Sequence, residues 1–357
     1  MWRTTLAFLT AAAACASGCS LVLATLAALT GSASGCGASH ADGARVALPG
    51  GAPGVGFDDL RYSATLHRVL APGGRSGNLA LVDPDTLAVS SIGGFSATGT
   101  FDGGHDFGAT SVDEGRGFLF VTDRTSRQLH VIDPTSRALV GSVGLGAGPD
   151  YVRYIAATDE IWVSEPSASQ LEIFSVPKSG PMNPVFAGVI AVANGPESLV
   201  IDQAAARAYT HRWQSTTLVL DVKTRAVAEE WPNGCAASRG LAVDEARGFF
   251  FSGCLEGTVS VLDAAHGGRV LSSIARGAGF DVLGYNPALG HLYAVGTACA
   301  CLVVLGVSRT GTLSFLGRFA APGSAHCATA DDRGHAWICD PEGGQLLRVD
   351  DPYPSSF

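Results

Sequence analysis

Charged residues are scarce in this 357-residue chain, where they make up 15% of the sequence against about a quarter in an ordinary soluble domain. Met, Lys and Glu are also few, which counts against an all-helical protein. The formal net charge of −9 leaves no excess of Lys and Arg to contact phosphates, so the composition speaks against a nucleic-acid partner. The chain is instead rich in turn-forming residues, with 46 Gly and 17 Pro.

Signatures of catalysis are missing as well. The sequence has no Gly-x-Ser-x-Gly elbow, no His-Glu-x-x-His, no Walker loop and no Gly-x-Gly-x-x-Gly ahead of a helix. It has no Cys-x-x-Cys-His for covalent haem and no zinc-finger spacing of Cys and His. These absences favour a binding protein over an enzyme without deciding the question.

The longest apolar run lies at the start of the chain. It covers residues 6–29, follows Arg3 and ends in the small residues before Cys36, a pattern that predicts an export signal. A retained membrane anchor is the alternative, because the run is long enough to span a bilayer. An ordinary cleaved signal is another. Beyond Cys36 no apolar run approaches the roughly 18 residues that a span requires.

The exit segment Gly31–Cys36 resembles the lipobox of bacterial lipoproteins. The resemblance implies a signal peptide over 1–35, lipidation of Cys36, and a short linker over 36–43. The mature protein would then be tethered to a membrane through its N-terminal lipid. Every one of these alternatives places the rest of the chain outside the cytoplasm, in the periplasm or at the cell surface.

One unit recurs through the remainder: a short alternating strand that ends in Asp, roughly every 44 residues. It occurs at Asn78–Asp83, Leu129–Asp133, Thr217–Asp221, Val259–Asp263 and Leu346–Asp350, with variants at Leu171–Ser175 and Leu302–Gly306. Seven such units predict an all-β fold, a seven-bladed β-propeller of four-stranded blades over 44–351, with a C-terminal tail over 352–357.

The last unit has only three predicted strands, since the chain turns to Asp351-Pro-Tyr-Pro after Gln345–Asp350. An unassigned strand, Ala44–Leu48, stands just before the first unit. We therefore expect this N-terminal strand to complete the C-terminal blade and close the ring, which removes two exposed sheet edges.

Two recurring details resemble the YVTN or YncE-like family of seven-bladed propellers. They are the outer-strand exits Val143–Pro149 and Ile190–Pro196, and the Asp-x-x-Thr turns Asp83–Thr86 and Asp221–Thr224. The resemblance covers about residues 44–350 and implies architecture. It implies no single activity, because such proteins range over surface-layer, adhesive and uncharacterised periplasmic proteins.

Six cysteines lie beyond Cys36. Export favours oxidation, and two pairs flank hairpins, which predicts the disulfides Cys327–Cys339 and Cys235–Cys254. Cys299 and Cys301 are compatible with a local disulfide, two free thiols or half of a metal site.

Candidate binding residues stand where each inner strand begins, which we call the channel mouth. They are Asp58, Asp150, Glu197, Arg239, Asp281 and His326, with His105 and Asp106 just ahead of blade two and His211 beside Arg212 and Trp213 in blade four. Five acids around one opening predict a site for a polar ligand or a divalent cation. The alternative is that these acids cap backbone N–H groups, and that Trp213 packs between blades.

These features predict a monomeric, exported binding scaffold for an unknown protein or small polar ligand, with no cofactor beyond an optional divalent cation. A metal-dependent lactonase-type hydrolase with its site at the channel is one alternative, because similar propellers include lactonases. An accessory protein to a periplasmic redox enzyme is the other.

Overall fold

A computed structural model of the chain describes residues 43–357. These residues form seven four-stranded antiparallel sheets, which confirms the predicted seven-bladed β-propeller. The first three blades contain β2 Arg61–Ser63, β3 Arg68–Pro72, β4 Ser76–Val82, β5 Val89–Ala97, β6 Ala109–Gly115, β7 Phe118–Asp123, β8 Gln128–Asp133, β9 Ala138–Gly144, β10 Val152–Ile155, β11 Glu160–Glu165, β12 Gln170–Ser175 and β13 Val185–Ala191.

The next three blades continue in the same order, and two 3-10 helices, Pro166–Ala168 and Ala264–His266, interrupt connections between strands. Their strands are β14 Glu197–Asp202, β15 Arg207–His211, β16 Thr216–Asp221, β17 Ala226–Pro232, β18 Ser238–Asp244, β19 Phe249–Cys254, β20 Thr258–Asp263, β21 Arg269–Ala275, β22 Phe280–Asn286, β23 His291–Gly296, β24 Cys301–Val307 and β25 Leu313–Ala320.

The seventh blade closes the ring with an N-terminal strand, as predicted. It consists of β26 Ala328–Ala330, β27 His335–Asp340, β28 Gln345–Asp350 and, on its outer edge, β1 Ala44–Ala47. The inner strands contact one another in succession round a central channel, with β26 meeting β2. The described residues contain no helix long and apolar enough to span a bilayer. The predicted signal peptide and Cys36 lie outside the described residues.

The Asp that ends the repeated strand has a local structural role. Asp83 Oδ1 accepts hydrogen bonds from the amides of Asp85 and Thr86, at 3.1 and 2.9 Å. Asp221 does the same for the amides of Lys223 and Thr224. A carboxylate that satisfies turn amides stabilises the tight connection to the outer strand. The repeat therefore marks a turn, not a binding site.

The predicted tail, 352–357, and Asp351 just before it pack on the fifth and sixth blades. The buried Asp351 carboxylate accepts hydrogen bonds from Tyr293 Oη at 2.5 Å and from His291 Nδ1 at 2.7 Å. Ser356 donates its amide to the Leu289 carbonyl, and the Phe357 ring lies 4.3 Å from the Arg247 guanidinium. The last residues thus fasten the β22–β23 turn of blade six and reach Arg247 in the β18–β19 turn of blade five.

The cysteines differ in part from the sequence prediction. Cys235 is joined to Cys254, and Cys299 to Cys301. The predicted Cys327–Cys339 bridge is absent, and both side chains are buried thiols. The register does bring the two residues opposite each other, since the Cys339 amide donates to the Cys327 carbonyl at 3.1 Å, and the Cys339 sulphur accepts a hydrogen bond from the Cys327 amide at 3.1 Å.

Candidate functional site

The channel mouth is organised by an arginine that the sequence analysis missed. Arg124 lies in the loop between β7 and β8, and its side chain is only 15% exposed. Its Nη2 donates to Asp150 Oδ1 at 2.8 Å and to Asp58, while its Nη1 reaches Asp106 at 3.4 Å. Arg124 Nε also donates to the Pro149 carbonyl at 2.7 Å. One guanidinium therefore joins the entrances of blades one, two and three.

Arg124 neutralises one of its two buried carboxylates more than the other. Burial acts to raise the pKa of Asp58, but the charge of Arg124 and the hydrogen bond with His105 outweigh it, and that pKa falls well below its usual range. Asp58 in turn raises the pKa of His105 through this hydrogen bond and its charge. Burial and the charge of Asp58 together raise the pKa of Asp150 well above its usual range, despite Arg124.

On the opposite side of the mouth, an exposed tryptophan donates a hydrogen bond to a glutamate that nearby cations neutralise only in part. Trp213 is 41% exposed, and its indole N–H donates to Glu197 Oε2 at 2.7 Å. Burial and the charge of Asp281 raise the pKa of Glu197 to about 8, although Trp213 and Arg239 oppose the shift. Burial likewise raises the pKa of Asp281, against the charge of His326. This side of the mouth is short of positive charge.

His326 completes the mouth between Asp281 and His105, whose ring centre lies 5.3 Å from its own. Its Nδ1 lies 2.8 Å from the Ser324 carbonyl oxygen and its Nε2 lies 2.9 Å from the Phe57 carbonyl oxygen. Burial acts to lower the pKa of His326, but the charges of Cys339 and Asp281 outweigh it and raise that pKa to about 9. Both ring nitrogens of His326 thus lie against carbonyl oxygens, and the raised pKa favours its protonated form.

Most of the predicted residues do gather at the mouth. Asp58, His105, Asp106, Asp150, Glu197, Arg239, Asp281 and His326 influence one another there through hydrogen bonds or charge. His211 does not belong to the mouth, which corrects its prediction as a binding residue. Its side chain is fully buried between blades, beside Thr217 Oγ1 at 2.9 Å and the Gly240 carbonyl at 3.3 Å, and burial lowers its pKa to about 3.

A signal for Arg124 was present in the sequence. It follows the second strand of blade two as Arg212 and Trp213 follow that of blade four, and such loops emerge on the same face as the inner-strand entrances. Arg212 itself is committed elsewhere, because it makes two hydrogen bonds to Glu230 at 2.7 and 2.8 Å.

The channel also widens into a cavity of about 410 Å³ toward the opposite face. Its wall includes the buried Arg153, which donates to both oxygens of Asp59 at 2.7 and 3.3 Å. Tyr151 lines the cavity on the side of the mouth, and burial together with the charge of Asp281 raises its pKa well above its usual range. The cavity and the acidic mouth thus meet at Tyr151.

No family model matches this sequence, and no curated protein matches it. Solved structures do resemble the chain. One chain of "Crystal Structure of Mitotic Checkpoint Complex" has a TM-score of 0.69 at 14% identity, over 86% of this chain and 94% of that one. A chain of Kuenenia stuttgartiensis hydrazine synthase has a TM-score of 0.65 at 11% identity, over 84% and 96%.

A third similar structure is the β-propeller domain of Myceliophteria thermophila Cps50 (Swd1), with a TM-score of 0.65 at 11% identity over 82% of this chain and 96% of that one. These proteins differ from one another and share little sequence with this chain, so the likeness is one of fold alone. By its own strands and by these comparisons, the protein is a seven-bladed β-propeller.

Proposed function

We propose that this protein is an exported, lipid-anchored propeller of the YncE-like type that acts as a binding scaffold. Its channel mouth holds a cationic group of a small ligand or of a partner protein. The observation that carries the proposal is the pair formed by the exposed Trp213 and the half-buried Glu197, whose indole N–H and carboxylate lie 2.7 Å apart.

The charges of the mouth support a cation over an anion. Glu197, Asp150 and Asp281 all have raised pKa values, because burial is not offset by the cations near them. A bound cation supplies the missing positive charge and favours the ionised carboxylates. The face of an exposed indole adds a cation–π attraction of about 0.5–2 kcal/mol.

The same geometry disfavours the metal-dependent hydrolase. A divalent cation held by Asp58 and Asp150 has to lie between them, and the Arg124 guanidinium occupies that position. Among the described residues, the channel acids do not form a group of three ligands within 4.8 Å of one another. The binding scaffold therefore needs no change in the structure, whereas the hydrolase needs Arg124 to leave.

Choline and its uncharged carbon analogue, 3,3-dimethylbutan-1-ol, test the proposed cation site. We expect choline to bind and the analogue, which has the same shape without the charge, to bind at least about tenfold more weakly. Trp213→Ala should weaken choline binding roughly tenfold. Phe315→Ala is the matched control, because Phe315 is also 41% exposed but lies on the outer strand of blade six. Isothermal titration calorimetry measures both affinities.

Two outcomes of that titration count against the proposal. Equal binding of choline and its analogue shows that charge is not recognised. Equal loss in Trp213→Ala and Phe315→Ala shows that any binding lies outside the mouth.

Export and anchoring have a separate test in cells. With the full chain expressed in a bacterial host, we expect the protein in the membrane fraction of the envelope. The Cys36→Ser variant should be lost from the membrane fraction, because attachment of the lipid requires the Cys36 thiol. Membrane association that is unchanged in Cys36→Ser contradicts the lipid anchor and favours a retained apolar segment.

A further inference from the structure

Two buried thiols and a histidine meet beside the channel mouth. Cys327 immediately precedes the inner strand β26, Cys339 lies in β27, and His326 adjoins Cys327. Their ligand atoms, two sulphurs and one ring nitrogen, all lie within 4.8 Å of one another. In tetrahedral zinc sites the bond lengths of about 2.3 Å to sulphur and 2.0–2.1 Å to nitrogen place such atoms about 3.5–3.8 Å apart.

The Cys339 sulphur accepts two backbone hydrogen bonds, as metal-bound thiolates often do. It accepts hydrogen bonds from the amides of Cys327 at 3.1 Å and His326 at 3.4 Å. Both donors come from the backbone, so they are fixed in place before any ion arrives. Hydrogen bonds of this kind hold the metal-ligating side chains in position and stabilise their negative charge.

His326 is also held in an orientation that suits a ligand. Its two nitrogens face two carbonyl oxygens, those of Ser324 and Phe57, at 2.8 and 2.9 Å. When one nitrogen binds an ion, the other keeps its N–H bond to a carbonyl, which is the usual partner of a metal-bound histidine. The site therefore needs to give up only one hydrogen bond.

We propose that Cys327, Cys339 and His326 form a binding site for Zn²⁺ or a similarly thiophilic divalent cation. Two sulphurs and one nitrogen are the donors that zinc prefers. Three protein ligands leave a fourth tetrahedral position for water or a small ligand, as in zinc sites that bind exogenous molecules. This site is distinct from the acids that the sequence suggested for a cation, and it does not depend on the cation-binding function of the mouth.

As zinc ligands, both cysteines bind as thiolates and His326 binds through one neutral ring nitrogen, so binding releases protons to the solvent.

The test uses the full chain with its thiols reduced, Zn²⁺ for stoichiometry and Co²⁺ as a spectroscopic probe. We expect one zinc per chain by elemental analysis, and a visible absorption typical of tetrahedral cobalt with sulphur ligands. Cys339→Ser and Cys327→Ser should each weaken zinc binding at least about tenfold and remove the sulphur-to-cobalt band. The matched controls are Cys299→Ser combined with Cys301→Ser, and His105→Ala, whose ring lies next to His326 outside the cluster.

A second measurement on the wild-type chain keeps the proposal falsifiable if those variants fail to fold. Cys327 and Cys339 fall in different tryptic peptides, 319–333 and 334–348. Zinc should protect both peptides from alkylation, and Ca²⁺ should protect neither. A disulfide that joins the two peptides and persists in mild reductant overturns the site. So does cobalt binding that is unchanged in Cys339→Ser.

Discussion

Removing residues 44–50 is expected to unfold the whole propeller, because β1 is the outer strand of the seventh blade. β1 pairs with β28 in the register Val46↔Leu346, and Leu48 donates its amide to the Gly344 carbonyl at 3.1 Å. Val46 and Leu48 are 4% and 6% exposed. Burial of one such side chain contributes about 1.5–3 kcal/mol, so the two account for roughly 3–6 kcal/mol of a total that is typically about 5–15 kcal/mol.

The deletion also leaves β28 as an open edge, with unpaired backbone groups that can pair with other chains. Circular dichroism and urea unfolding of the deleted chain should show loss of the cooperative transition, together with aggregation. A folded, monomeric deletion protein contradicts the closed ring.

A point variant in β1 distinguishes the loss of buried side chains from the removal of the strand itself. Val46→Asp places a charge on the buried side of β1 and should cost at least about 3 kcal/mol in the free energy of unfolding. Arg45→Ala is its control, since the Arg45 side chain is 67% exposed and makes one long ion pair, to Asp340 at 3.7 Å. Exposed ion pairs of this kind contribute about 0–1 kcal/mol. Similar losses in both variants argue against the packing described for β1.

Arg124→Met is expected to destabilise the protein by about 3–5 kcal/mol at neutral pH, the usual cost of leaving a buried charge without its partner. Arg124 bridges Asp58 and Asp150, whose side chains are only 8% and 12% exposed. Arg212→Met is the control. It removes a two-bond pair with Glu230, but there the side chains are 30% and 49% exposed, and the expected cost is below about 1 kcal/mol.

The pH dependence gives this prediction a sign. In the wild type the pKa of Asp58 is held below its unfolded value, so its ionised form stabilises the fold above about pH 4, and that stability is lost as the pH falls. Without Arg124, burial raises the pKa of Asp58 and its charge opposes folding at neutral pH. The difference between Arg124→Met and wild type should therefore shrink between pH 7 and pH 4.5 in urea unfolding. A difference that is independent of pH, or absent at pH 7, contradicts the role of Arg124.

The architecture was predictable because each blade has the same local pattern of strands and turns. The strand β28 has the predicted bounds Gln345–Asp350, and β8 begins one residue before the predicted Leu129–Asp133. The three-strand last unit and the strand at Ala44 could be matched by counting alone. Turn carboxylates such as Asp83 explain why the repeat is visible, since each turn needs the same hydrogen bonds.

The site was predictable only in outline, because side-chain direction is not periodic at the ends of strands. His211 is the last residue of β15 and faces Thr217 inside the sheet, whereas Trp213, two residues on, reaches Glu197 at the mouth. Cys327 and Cys339 lie opposite each other as predicted, but they are two buried thiols and not a disulfide. Such details depend on register and rotamer, which one sequence does not reveal.

The most direct test of the cation-binding mouth is the affinity for choline at two pH values. Choline keeps its charge at every pH, whereas Glu197, with a pKa of about 8, gains its charge between pH 6 and pH 9. Asp281, Arg239, Asp58 and Trp213 are the groups that face or influence it.

The ionised fraction of such a carboxyl falls about tenfold for each pH unit below its pKa. Calorimetry should therefore give choline binding at least about tenfold tighter at pH 9 than at pH 6, and no such change in Glu197→Gln. Equal affinity of the wild type at both pH values contradicts a cation held by the carboxylates of the mouth.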